Sequence, residues 1–313
     1  MTELCERGRP KARVKIVDEI INKEDLIQKE YTLHDIQQVT KDIDCTIKFL
    51  ASVGLLHNSV TCCDRAMGFV IRKRYSDGRA WHCSICRSYR SIRNDSFFSK
   101  SCIRLTRLLE LIYWWTSIES TQSVVMDQVG LGTEAIVNWY NYFRDVCAMW
   151  CIDHPTKIGG EGVKVDIAES KFMHRQYHRG RYKEGHWILG MVERHSLNSV
   201  LVPVPDQSGA TLLPIILKHV LPGTCIVTDG CHSYEKLPES ADHCLQFMDA
   251  KDEKLNRNTT EGTWNNVKNR YKHLYGPSDN LFSTYLQEFS WRRVHKNNTF
   301  MSFIFWIRHY YPV

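Results

Sequence analysis

No run of apolar residues in this 313-residue chain is long enough to cross a bilayer. Its N-terminus is polar and charged where a secretory signal needs an apolar core. Both absences point away from membranes and export, so the twelve cysteines are expected as thiols of a reducing intracellular compartment rather than as disulfides. That compartment is the nucleus in a eukaryote and the cytoplasm otherwise. Internal repeats and low-complexity tracts are lacking too, which sets aside a repeat array. Excess charge is also scarce, at a formal +6, and the length suits two or three domains.

What charge there is lies in one place. Between Cys62 and Glu110 eleven Lys or Arg face four acidic residues, a local +7 that exceeds the whole chain's net charge. A charge run is often a solvated face, but this concentration is also the footprint of a phosphate-binding surface. The segment around Arg72, Lys73, Arg74, Arg87 and Arg90 is the candidate DNA contact. In the same stretch Cys83-Ser84-Ile85-Cys86 has the spacing of one zinc knuckle, behind a basic hairpin turning at Ser76-Asp77-Gly78.

Punctuation along the chain divides it. Residues 1–30 read as a polar arm, and residues 31–56 as a short helical segment opening at Thr32-Leu33-His34-Asp35. Residues 57–100 form the basic, zinc-ribbon-like module. Over residues 101–156 apolar positions recur at helical spacing around a turn at Val129-Gly130-Leu131-Gly132. That is the pattern of a helix-turn-helix, or equally of an ordinary helical hairpin. Lys157 to Gly162 reads as a linker.

Further on, Val220 to Gly230 reads as a turn, a short apolar strand and Asp229 at its end. Asn256 to Arg270 reads as a helix opening at Thr259 or Thr260 with Glu261 in its first turn. Alone, each carboxylate is most simply a cap or a helix-dipole partner. Together with Val165 to Phe172, Gly190 to Arg194 and Tyr285 to Arg293 they form an ordered series.

That series resembles the DDE transposases of the Merlin type and their bacterial insertion-sequence relatives, from about Leu33 to the C-terminus. The resemblance implies an α/β fold over residues 163–313: an RNase H-like mixed sheet flanked by helices, preceded by the zinc-ribbon-like module and the helix-turn-helix. It also implies DNA with transposon-end-like sequences as partner, a homodimer, and Mg²⁺ or Mn²⁺ as cofactor. In the family three carboxylates hold two metal ions that stabilise the entering and leaving oxygens of an in-line displacement at a DNA phosphate.

Carried over residue by residue, Asp229 takes the second acidic position and Glu261 the third. The first is missing. Family members read Glu-Ile-Asp-Glu-Ser-Lys-Phe where this chain has Asp166-Ile167-Ala168-Glu169-Ser170-Lys171-Phe172. Asp166 then stands at the leading glutamate and Ala168 at the catalytic aspartate, and Arg175, Tyr177, His178, Arg179 and Gly180 follow in the same register. Asp166 is the one substitute ligand in reach, two residues away on the same strand face, with its Cβ roughly 6.5 Å from that of Ala168.

The zinc module departs from the family as well. Relatives carry a second CxxC upstream, whereas this chain has Val60 and the adjacent pair Cys62-Cys63. Adjacent cysteines cannot form one knuckle, so the candidate ligands are Cys63, Cys83 and Cys86. The site is then three-coordinate, completed by His57 or His82, or empty with its cysteines buried as free thiols. The expected function is that of a transposase-derived DNA-binding protein impaired in catalysis by Ala168. The alternatives are an active transposase using Asp166, Asp229 and Glu261, and a non-catalytic protein-interaction scaffold.

Overall fold

Thr32 opens its helix as the sequence signals. Its hydroxyl accepts from the Asp35 N–H at 3.2 Å while the Asp35 carboxylate accepts from the Thr32 N–H at 2.9 Å, a reciprocal capping box. The computed structural model describes residues 13–118, 120–172, 186–196, 198–228, 244–247, 262–263, 265–267 and 279–313. The chain divides into two compact units, Met1–Tyr142 with Asn297–Val313, and Phe143–Lys296.

The first unit begins with α1 (Lys23–Gln28), α2 (Leu33–Thr40) and α3 (Ile43–Ser52). Sequence polarity suggested a loose arm over residues 1–30, yet Leu26 of α1 is fully buried and the Asn58 side chain accepts from the Ile16 and Val17 N–H groups. A few apolar anchors suffice to seat an otherwise polar segment. Next come a two-residue hairpin, β1 (Thr61–Cys62) and β2 (Arg65–Ala66), and an antiparallel sheet of β3 (Gly68–Ile71), β4 (Arg79–His82) and β5 (Tyr89–Ser91). Then follow α4 (Leu105–Ser117), α5 (Gln122–Val129) and α6 (Thr133–Asp153), whose last residues belong to the second unit. Gly130 ends α5 in the left-handed region at φ 65°, and a Cβ there would strike the Arg107 guanidinium. The last helix, which the sequence placed in the 163–313 domain, belongs to this unit. It packs on α1 and α4, with Phe300 edge-on to Tyr113 and Asn298 donating to the Ile27 and Lys29 carbonyls.

A buried ion pair ties the basic module to α4. Arg93 donates to both Asp77 carboxylate oxygens at 2.6 and 2.7 Å and to the Ser101 and Ile103 carbonyls, and Asp77 also accepts from the Leu105 N–H at the start of α4. Removing one member strands a buried charge. Arg93→Ala should therefore cost about 3–5 kcal/mol in a urea titration; a cost below about 1 kcal/mol would show that the pair is solvated and dispensable.

In the second unit β7 (Lys164–Phe172), β8 (His186–Glu193) and β9 (Ser199–Val204) form an antiparallel meander. A crossover through α7 (Gly209–His219) leads to β11 (Cys225–Thr228), parallel to β7, and β12 (Cys244–Phe247) pairs parallel to β11. The order β12-β11-β7-β8-β9 puts β7 at the centre of a five-stranded mixed sheet, the RNase H-like arrangement implied by the resemblance. The expected linker is part of this unit: β6 (Ile158–Gly159) pairs parallel to β10 (Val220–Leu221), with Ile158 buried in the core. Its glycines read as a linker because the pairing partner lies some 60 residues away.

Period-two alternation sorts β7 between two faces. Val165 and Ile167 enter a core with Leu189, Met191, Leu212, Ile216 and Ile226, on the α7 side. On the other face Ile188 and Leu201 pack with Val267 and with Phe282 and Leu286 of α8 (Asp279–Val294). The final helix, Thr299–Tyr310, is α9.

Candidate functional site

Residues directly opposite across a ladder share a face. Asp166 faces Val192 and Ala168 faces Gly190, which in turn faces Leu201. Ala168 and Asp166 thus lie on the face covered by Val267 and α8, and Glu169 lies on the α7 face. Residues 262–263 and 265–267, just after Glu261, are helical, and Val267 packs against the Ala168 face through Ile188 and Leu201. Asp229 and Glu261 themselves lie outside the described residues.

Asp166 is committed to a cation of the chain itself. It is buried, its Oδ1 accepts from Arg194 Nε at 2.8 Å, and Arg194 Nη2 lies 2.7 Å from the same oxygen as an ion pair. Arg194 follows β8 by one residue, and its N–H bonds the Lys164 carbonyl, so it leans across the strand pair onto Asp166. Sequence reasoning had Glu193-Arg194 within a motif but gave the arginine no role, since nothing local says which carboxylate it meets. At the family's first carboxylate position, then, Ala168 has no donor, and the neighbouring Asp166 carboxylate is ion-paired.

Four cysteines meet in the first unit. The Sγ atoms of Cys62, Cys63, Cys83 and Cys86 all lie within 4.8 Å of one another. Cys62 Sγ is 3.8 Å from Cys63 Sγ and 3.6 Å from Cys86 Sγ. A tetrahedral zinc with Zn–S bonds of about 2.3 Å spaces its sulfurs about 3.8 Å apart, close to these two separations, so the set could hold such an ion. The three cysteines expected from sequence converge, and Cys62 joins them. That corrects the expectation that the adjacent pair cannot serve one site: Cys63 and Asp64 take φ of 51° and 57°, both left-handed, as a tight hairpin turn requires, which brings neighbouring side chains to the same side. Cys-Cys-Asp-Arg between two short strands was the signal that could have revealed it. Among the described residues the cluster holds no histidine.

The second knuckle turns at Arg87, also left-handed at φ 59°, and the Ser88 hydroxyl lies 3.0 Å from Cys86 Sγ. Ser88, through its hydroxyl and then its backbone N–H, pulls the Cys86 thiol down to about 6. Hydrogen bonds to Cys86 and Cys62 push Cys63 up to about 12. Without a cation the four sulfurs cannot all ionise side by side; a bound divalent ion removes that conflict.

The candidate DNA contacts Arg72, Lys73, Arg74, Arg87 and Arg90 are all exposed. Arg72 lies 4.6 Å over the Tyr89 ring, and Arg90 stands opposite Trp81 across β4 and β5. Not every cation of the basic segment is available to a ligand. Arg79 pairs with Asp44 at 2.6 Å, Arg93 with Asp77, and Arg107 bonds the Val129 and Gly130 carbonyls.

Residues 158–293 match the model of the ISXO2-like transposase domain. An uncharacterized transposase-like protein of Haemophilus influenzae is 33% identical over 94 residues, which cover 29% of this chain and 76% of that protein. Male abnormal protein mab-31 of Caenorhabditis elegans is 24% identical over 173 residues, 49% of this chain but only 40% of that protein. Among solved structures, a pre-cleavage Mos1 transpososome aligns with 62% of this chain and 75% of its own at 10% identity and a TM-score of 0.27. No helix among the described residues is long and apolar enough to cross a membrane.

Proposed function

The chain belongs to the DDE-type transposase family, and from that premise we propose that it is a transposase-derived DNA-binding protein whose metal-dependent cleavage and strand transfer are impaired. One observation carries the reading: at the family's first carboxylate position stands Ala168, and the nearest acid, Asp166, is buried in an ion pair with Arg194. Taking Asp166 as a metal ligand would break its buried pair with Arg194, an expensive exchange. The active-transposase alternative through Asp166, Asp229 and Glu261 is disfavoured on that ground. In the family Mg²⁺ or Mn²⁺ supplies charge stabilisation at the reacting phosphate. Here Asp229 and Glu261 are assigned the flanking positions only.

Binding is assigned to the first unit. Zinc on Cys62, Cys63, Cys83 and Cys86 would hold the knuckle that presents Arg87, Arg90 and, through Tyr89, Arg72 on one exposed basic surface. The α5–Gly130–α6 corner has the form of a helix-turn-helix, and we assign it the base-reading role, in a homodimer acting in the nucleus of a eukaryote or the cytoplasm of a bacterium. Replacing Arg72, Lys73 and Arg74 together with Ala should weaken duplex binding. It should also flatten the plot of log affinity against log salt by up to about 2.7, at about 0.9 for each phosphate no longer neutralised. Fluorescence anisotropy over a salt series reads this, and an unchanged slope would move the surface elsewhere. A nicking and strand-transfer assay in Mn²⁺ tests the catalytic half: turnover by the native chain overturns it.

A further inference from the structure

We infer that Cys225 and Cys244 are a reversible redox pair, closing to a disulfide across the edge of the five-stranded sheet when a low-molecular-weight disulfide such as oxidised glutathione is in excess. Both belong to the second unit, whereas the four-cysteine cluster and the basic surface belong to the first, and the inference does not depend on the proposed function. Register brings the two together. β12 ends the sheet and pairs parallel to β11, and Cys225 stands directly opposite Cys244 at the start of that ladder.

Opposite residues of a ladder point to one face. Ile226 and Leu245 take the α7 side, with Val165 in its core, so Cys225 and Cys244 share the other side, that of Asp166. The Cys225 thiol donates to Oε1 of Gln246 at 3.6 Å, two residues beyond Cys244 on the same face, so it already leans toward β12. Neighbouring strands run about 4.8 Å apart, inside the Cα separation of about 4.4–6.8 Å that a disulfide spans. Its Cβ atoms sit nearer, at about 3.8 Å, so β12 must draw in by up to about 1 Å. Among the described residues β12 has a neighbouring strand on one side only, which leaves it free to do so. A bond that pulls its strands from their relaxed spacing is also the more readily reduced, which makes the link a switch rather than a permanent staple.

Exposure sets the order of events. Cys244 is exposed and Cys225 half-buried, so a small disulfide reaches Cys244 first. The Cys244 thiolate, its proton lost to water, attacks one sulfur of oxidised glutathione; a Cys244–glutathione bond forms and one glutathione thiolate leaves. The Cys225 thiolate then attacks Cys244 Sγ, the internal disulfide forms and the second glutathione thiolate leaves. Two protein thiols and one glutathione disulfide thus give one protein disulfide and two glutathione thiols, with two electrons passing to glutathione. Burial, and next the Cys244 thiol, push the Cys225 thiol up, while Lys164 and Arg194 pull it back. Capping Cys244 removes the second of those causes and leaves the two cations in place, so Cys225 ionises more readily once its partner is the target. Both are free thiols in the structure, and disulfides of reducing compartments are typically of this transient, redox-responsive kind.

The test equilibrates the full chain in buffers of graded reduced-to-oxidised glutathione ratio, quenches with acid, caps the remaining thiols with an alkylating agent and maps linkages by peptide mass spectrometry. A linked Cys225–Cys244 peptide should be absent with reduced glutathione in large excess, predominate with the oxidised form in excess, and disappear on adding dithiothreitol. Cys225→Ser should leave Cys244 capped by glutathione, a species at least about tenfold scarcer in the native chain because there the second step is intramolecular. Cys244→Ser should leave Cys225 largely unmodified over the same time, and circular dichroism checks that both variants keep the native fold. Absence of the linked peptide under oxidised glutathione overturns the inference. So does glutathione retained on Cys244 of the native chain, which would show that the two sulfurs cannot meet, or linkage of either residue to another cysteine such as Cys231 in preference.

Discussion

Stripping metal from the purified protein with a strong chelator is expected to unfold the module built around β1 to β5. Apparent binding energies of structural zinc are about 10–16 kcal/mol, comparable with the whole stability of a small domain. This module's own strands are short, three of three or four residues and a hairpin of two-residue strands, which leaves the ion as the largest single contribution beside the Arg93–Asp77 pair. Trp81, fully buried on β4, should become exposed, and tryptophan fluorescence together with near-ultraviolet circular dichroism would follow it. Metal analysis should find one zinc per chain. Cys62→Ser should lose it as Cys63→Ser, Cys83→Ser and Cys86→Ser do, because all four sulfurs converge. A Cys62→Ser protein that keeps its zinc would restore the three-cysteine site expected from the sequence. Protein that holds no metal and ignores the chelator would end the zinc assignment. Acid should release the ion, since each thiolate must stay deprotonated to bind it.

Ala168→Asp is the second large effect. The native chain should show no tight Mn²⁺ binding by calorimetry, whereas the variant should bind with a Kd of about 1 μM, worth about 8 kcal/mol. The placement favours it. Ala168 is half-buried on the face toward Val267 and α8, and it stands opposite Gly190, which has no side chain to obstruct a carboxylate. Asp166 remains with Arg194 in both proteins. Tight two-site binding by the native chain, abolished by Asp166→Asn, would show that Asp166 has taken over the ligand role and that the Arg194 pair opens on metal binding. A variant as silent as the native chain would mean that the carboxylates beyond Ala168 no longer form a site.

Signals contained within a few residues were legible. The Thr32 cap, the α5 stop at Gly130 and the strand from Val165 need only local rules of capping, left-handed glycine and alternation. Alternation alone also places Asp166 and Ala168 on one face. The mixed sheet was implied by the family resemblance that the ordered motifs carry, and no local rule by itself gave its strand order. Cys83 and Cys86 could be named from spacing and Cys63 from the family resemblance, but Cys62 could not, because its convergence depends on two successive left-handed residues in the Cys63-Asp64 turn.

The order of residues alone thus sets where elements begin and end, which residues share a strand face, and that alanine stands at the family's first carboxylate. Which distant groups meet was decided by the folded chain. Arg194 reaches Asp166 because β7 and β8 pair in one register, and β6 is a strand because β10 lies beside it. The last helix joins the first unit because its apolar face fits α1 and α4, and Phe97, Trp139 and Tyr311 are brought together from distant parts of the chain. Local preference acts through each residue's own backbone and its near neighbours, whereas these contacts depend on burial against partners whose positions are set by packing of the whole chain.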